Sequence, residues 1–212
     1  MELINYLNKY FYTKQALLDV AKISEQELLN FQYQGVMPLC SYKLNLNLKC
    51  DSFLGEHSQE QVIEYYAMGY ASWLGIIQSL VTREKIYSVF VKRYKTTIEQ
   101  LREQGHCSDN AKITTDIDQH LKEEWGHFLS GTYGLCTKSG LPEDIAAKEF
   151  AILEINEITE ESELNIAPLT QLTNAINLLD SASALFAPHE RPTSSRHRLV
   201  NEMRRKYRLK NQ

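Results

Sequence analysis

The segment Thr13-Lys14-Gln15-Ala16-Leu17-Leu18-Asp19-Val20-Ala21-Lys22-Ile23-Ser24-Glu25-Gln26-Glu27-Leu28-Leu29-Asn30-Phe31-Gln32-Tyr33-Gln34-Gly35-Val36-Met37-Pro38 carries the signals of two short helices around a tight turn. Thr13 stands as an N-cap for the first helix, and Ser24 with Glu27 three residues on has the spacing of a capping box for the second. Gly35 ends the second helix and Pro38 prevents its continuation. The pattern predicts a helix-turn-helix. Ahead of it, Leu3, Tyr6, Leu7 and Tyr10 lie three and four apart, on one face of a short amphipathic helix.

Tyr12-Thr13, Leu17-Leu18, Ala21, Ile23-Ser24, Leu28, Phe31, Gly35-Val36 and Met37-Pro38 resemble the DNA-binding end of the mercury-resistance-regulator (MerR) type of winged helix, over residues 10–42. The resemblance implies a helix-turn-helix fold and a second helix that reads DNA. The residue chemistry departs from that pattern. Leu29-Asn30-Phe31 stands where the family has Arg beside a tyrosine pair, and Glu25 and Glu27 open the helix. A helix entering the major groove passes close to phosphates, which favour Lys and Arg and repel carboxylates. Sequence-specific DNA binding through this helix is therefore doubtful.

Downstream, Tyr42, Leu44, Leu46, Leu48 and Cys50 alternate with Lys43, Asn45, Asn47 and Lys49, the period-two pattern of a half-buried strand or wing. Residues 51–55 read as a loop, which places the module at 1–55 and the main body at 56–212. Ser58 with Gln61 predicts the start of a long helix through Val62, Tyr65, Tyr66, Trp73 and Leu80. Further helices are expected over 83–104, 109–129, 142–158 and from Pro168 to about Phe186. Gly105 and Gly131 are the breaks, Glu157 to Glu163 an acidic loop, and Ser194 or Ser195 the cap of a last, basic helix. The expected fold is mostly α: a small helix-turn-helix (winged-helix-like) module, at most a short β-ribbon near 42–50, and an α-helical bundle.

With 43% hydrophobic and 24% charged residues in 212, the composition is that of a folded globular chain. No run approaches the roughly 18 to 20 apolar residues that span a bilayer, and Glu2, Asn5 and Lys9 do not make a secretory leader, so a cytoplasmic location without membrane contact is expected. Cys40, Cys50, Cys107 and Cys136 show no C-x-x-C spacing and read as thiols. The net charge of -4 is uneven. Seven of the 23 basic residues stand in the last 17 positions, opposed only by Glu202, while residues 1–195 hold 16 basic and 26 acidic residues. A basic tail on an acidic body either docks on it or meets an acidic partner.

Three constellations could carry chemistry. His120, Glu124 and His127 advance by four and three residues, so two imidazoles and a carboxylate emerge near one helical face, a ligand-competent set for a divalent metal. Glu149, Glu154 and Glu157 on the next long helix could add carboxylates, although a di-metal bundle needs a second Glu-x-x-His that is absent. The alternative is a solvated polar face, and no cofactor other than such a metal is expected. Next, Pro188-His189-Glu190-Arg191-Pro192 runs into Thr193-Ser194-Ser195-Arg196, where Arg191, Ser194, Ser195 and Arg196 could bind an anion; the alternative is an ion pair and N-cap that lock the last helix onto the body. The third, Gly131-Thr132-Tyr133-Gly134-Leu135-Cys136-Thr137-Lys138, lacks the phosphate-loop order and reads as a structural turn. No Gly-x-Ser-x-Gly, Gly-x-Gly-x-x-Gly or His-Glu-x-x-His occurs.

Taken together, the helix-turn-helix-like start, Glu124-Trp125 leading to Gly131-Thr132-Tyr133-Gly134-Leu135-Cys136-Thr137, and Glu190-Arg191 with Ser194-Ser195-Arg196 are similar to an uncharacterised bacterial family, a domain of unknown function loosely labelled as natural-product biosynthesis proteins. The expectation is a regulatory or interaction protein whose module contacts DNA or an unknown protein and whose body binds a small molecule or forms a homodimer. The competing expectation is a small-molecule enzyme or accessory factor of natural-product biosynthesis with a pocket near His120, Glu124 and His127.

Overall fold

The computed structural model describes residues 2–80, 82–160 and 166–209. It is mostly helical with one small antiparallel sheet. α1 (Glu2–Tyr10) leads through β1 (Phe11–Thr13) into α2 (Lys14–Ala21) and α3 (Glu25–Tyr33). Both caps form: Thr13 Oγ1 accepts from Ala16 N, while Ser24 Oγ accepts from Glu27 N and Glu27 returns its carboxylate to Ser24 N at 2.8 Å. Gly35 has φ +65°, and the exit is tied down by Trp73, whose Nε1 donates to Val36 O at 2.9 Å.

The expected helix from Ser58 is instead a strand. β2 (Tyr42–Ser52) and β3 (Gly55–Ala67) form one long hairpin around Phe53-Leu54, and β1 pairs with the far end of β3. The ribbon is thus far longer than residues 42–50, and residue 55 is the last position of its turn. The strand forms here for a physical reason. Tyr65 is buried against Tyr6 and Phe11, whereas Tyr66 is buried on the opposite face with the main core. A strand covered on both faces reads as a continuous apolar run, which periodicity alone does not separate from a buried helix. What decides is the partner, with Leu44 opposite Ile63 and Tyr42 opposite Tyr65. α4 (Tyr70–Ser79) begins only after Gly69, where an added Cβ would lie 2.3 Å from Ser139 O.

The body packs α4, α5 (Arg83–Glu103), α6 (Ile117–Leu129) and α8 (Pro142–Glu160) around Trp73, Phe90, Trp125, Phe128 and Phe150. One hydrophobic cluster runs from Leu17 on α2 to Leu153 on α8, so the N-terminal helices share the body's core. α6 starts eight residues later than expected. Asn110 Oδ1 accepts from Lys112 N, and Thr114 Oγ1 donates to Asn110 O; such local bonds compete with helix and leave a 3₁₀ turn at Ala111–Ile113. The expected turn at 131–137 holds a one-turn helix, α7 (Thr132–Cys136), entered through Gly131 at φ +82°.

α8 continues through Glu160, so the expected acidic loop starts later, and residues 161–165 lie outside the described residues. α9 (Ile166–Ala182) begins two residues before Pro168, which its first turn tolerates because that N–H has no helical partner. The tail is a π-helical turn, His197–Asn201, running into α10 (Glu202–Lys206); Leu199 and Val200 are buried against Leu172, Ile176 and Leu179. All four cysteines are free thiols. No described helix is long and apolar enough to cross a membrane.

Candidate functional site

α6 divides the His120–Glu124–His127 set. His120 and Glu124 are buried, whereas His127 is exposed, its ring in a T-shaped contact with Tyr133. Inside, His120 Nε2 lies 3.3 Å from Tyr94 Oη and 4.0 Å from Glu124 Oε1, and Tyr133 donates a short hydrogen bond to Glu124 Oε2. Burial raises the Glu124 carboxyl to about 7, against the opposing hydrogen bond from Tyr133. Burial also pushes the His120 imidazolium down and the Tyr94 hydroxyl well up. The result favours neutral groups, which suits a sealed polar contact in an aromatic core. Among the described residues, no three His, Cys, Asp or Glu side chains gather to hold a metal ion.

The Pro-flanked turn does assemble a cationic cavity. Arg191, Ser194 and Arg196 line a space of about 290 Å³ with His197 and Asn201; Ser195 is not among its walls. The same residues also build structure. Ser194 Oγ accepts from His197 N at 3.0 Å as a cap, and Asp180 receives Arg196 at 2.5 Å on one oxygen and Arg204 at 2.9 Å on the other. Cys136 offers its carbonyl, which accepts from the buried Lys148 Nζ at 2.8 Å.

The residues that do converge beside an open space are others. Glu154, on the inward face of α8, has a fully buried carboxylate. His106 Nδ1 lies 2.7 Å from its Oε2, while Cys107 N at 3.1 Å and Gln171 Nε2 at 3.2 Å donate to Oε1. His106 is placed there because Gly105, at φ +91°, turns the chain out of α5 and back over α8. The pair forms the floor of a groove of about 380 Å³ between the end of α5 and α9, walled by Gln104, Gln171, Asn174, Asn177 and Ser181. A carboxylate with three donors is fixed in place, and it fixes the imidazole through Nδ1. Nε2 remains the ring's other hydrogen-bonding atom, the arrangement by which a carboxylate orients a histidine base. Amide walls supply both donors and acceptors without charge.

Glu154 figures in the sequence only as a spare carboxylate, and His106 not at all. The one signal is a titratable residue directly after a helix-ending glycine, in a segment rich in Ser, Asp and Asn. A second cavity, of about 390 Å³ beside α1, is lined by Tyr6, Tyr10, Phe11 and Met68 together with Lys138 and Asp180, and the buried Ser183 Oγ on its wall has no hydrogen-bond partner among the described residues. A family of unknown function (DUF6058) matches residues 86–208. No curated protein and no solved structure matches the chain.

Proposed function

Since the chain belongs to this family of unknown function, and every wall of the His106–Glu154 groove falls inside the matched residues, we propose that the protein is a regulatory, ligand-binding protein whose helical body receives a small polar molecule in that groove. The observation that carries the reading is the buried Glu154 carboxylate, held by three donors and presenting His106 to an amide-lined space. Buried charge is costly unless it is paired, and a few convergent polar groups in a concave site fix the orientation of a small ligand. The α2–α3 pair serves as a docking element for a protein in this reading. Its second helix exposes Glu25, Gln26 and Tyr33 rather than a basic surface.

The 2.7 Å contact between His106 and Glu154 also favours a second reading. In it the protein is an accessory enzyme of natural-product biosynthesis, with His106 as a proton acceptor oriented by Glu154. Ligand-observed NMR with a library of polar metabolites tests the shared premise. Hits on the wild-type chain are expected to vanish in Asn174→Trp, which fills the groove from its exposed wall, and to weaken about tenfold in His106→Asn. Hits that survive both variants would place the ligand elsewhere and end the proposal. Turnover of a bound hit, lost in His106→Asn, selects the enzyme.

A further inference from the structure

β2 is an outer strand of the sheet, and its free edge meets no other strand among the described residues. From Asn47 to Val62 the hairpin stands exposed, and its turn carries Phe53 and Leu54 at 102% and 93% exposure. One face of the ribbon is a continuation of the core: Tyr42 and Leu44 pack with Tyr65 and Ile63 at its base, and Leu46, Leu48 and Cys50 extend the row outward. No proline or bulge guards the β2 edge, although open edges of this length are usually blocked.

We propose that two copies of this chain join through β2 in an antiparallel pair about a two-fold axis at Asn47, making one continuous sheet. The register follows from the strand itself. The two-residue turn makes Ser52 and Gly55 a hydrogen-bonded pair, so even-numbered β2 residues bond inward to β3 and odd-numbered ones turn their N–H and C=O groups to the free edge. A two-fold axis at Asn47 pairs odd with odd, Lys43 opposite Asp51 of the second copy and Asn45 opposite Lys49. It thus brings opposite charges together twice. On the apolar face the same register sets Leu46 beside Leu48 and Leu44 beside Cys50 of the second copy. It also brings each exposed turn, Phe53-Leu54, alongside the base of the other ribbon, where Leu39 is half exposed. The β3 edge offers no equivalent. Glu56, Glu60 and Glu64 recur along it, so a two-fold axis at Ser58, Glu60 or Val62 sets carboxylate against carboxylate.

Sedimentation of the full chain is expected to give a dimer of two 24.5 kDa chains at micromolar concentration. With Cys50→Ser in the background, Asn47→Cys is expected to form an intermolecular disulfide under mild oxidation, because residues of a bonded antiparallel pair have Cα atoms about 5.5 Å apart. Asn45→Cys is expected not to link, since its copies lie about 13 Å apart along the strand. Lys43→Glu weakens association about tenfold and Asp51→Lys added to it restores it. A chain monomeric at 50 µM overturns the proposal, and so does a dimer in which the position 45 and 47 cysteines link equally or the charge exchange fails to rescue.

Discussion

Glu124 shows what burial does to one side chain. Its folded-state value of about 7 stands above the ordinary 4.5 because burial penalises the carboxylate. The folded chain therefore keeps a proton that the unfolded chain releases, and the stability this contributes is fully present below pH 4.5 and lost as pH rises through 7. The effect is on the order of 3 kcal/mol. Glu124→Gln keeps an acceptor for Tyr133 and removes the titration. Its melting temperature is expected to exceed the wild type's by about 5 °C at pH 8 and to match it at pH 5; a parallel pH dependence in the two proteins would refute the assignment. Glu154 is held differently, because hydrogen bonds satisfy both of its carboxylate oxygens. Glu154→Ala strands His106, Cys107 N and Gln171 and is expected to cost about 3 kcal/mol in urea unfolding, whereas Glu154→Gln, which keeps an acceptor for Cys107 N, costs about half. Helical spacing makes His120 and Glu124 legible as neighbours. It does not distinguish a sealed contact from an open site, and it puts His127 on their face although the core ends before reaching it. His106 and Glu154 are 48 residues apart, so only the turn at Gly105 and the packing of α5 on α8 bring them together.

Elements with local signatures are legible in proportion to how local their causes are. Thr13, Ser24 and Gly35 act within four residues, and the helices they bound form where the residues indicate. Ser24→Ala removes the side-chain half of the capping box, the acceptor for Glu27 N, while the backbone N–H of residue 24 can still donate to Glu27; it is expected to lower stability by about 1 kcal/mol. The hairpin is different. Ser58 and Gln61 have capping-box spacing too, but Ile63, Tyr65 and Tyr66 gain more from pairing with β2 and from burial on two faces than from one helical stripe. The Gly69 junction makes that preference structural, since the chain must pass against Ser139 to enter α4. Gly69→Ala would force its Cβ onto a backbone carbonyl 2.3 Å away. We expect a loss of at least 2 kcal/mol, measured by thermal unfolding, with β2 and β3 retained in the part that stays folded. A neutral Gly69→Ala would mean that the 137–141 loop yields freely.

Across the whole molecule, two of the seven basic residues of the tail dock on the body. Arg196 and Arg204 close on the two oxygens of Asp180, and Arg204 also donates to Asn177 Oδ1 at 2.9 Å. Asn177 is a wall of the His106–Glu154 groove, so the tail holds one side of that groove although it contributes no lining residue. The basic terminus and the candidate site are mechanically linked through α9. Asp180→Asn tests the link, because it leaves both guanidinium groups in place and removes only the charge between them. Two partly buried cations without their anion are expected to loosen the tail by about 2 kcal/mol, which raises hydrogen exchange in residues 199–207 roughly thirtyfold while α5 and α6 keep their protection. A polar ligand that occupies the groove is then expected to bind several-fold more weakly, and its binding to slow tail exchange in the wild type, since coupling between two sites is reciprocal. If exchange rises and affinity does not move, Leu199 and Val200 anchor the tail independently of Asn177, and the groove keeps its shape without it.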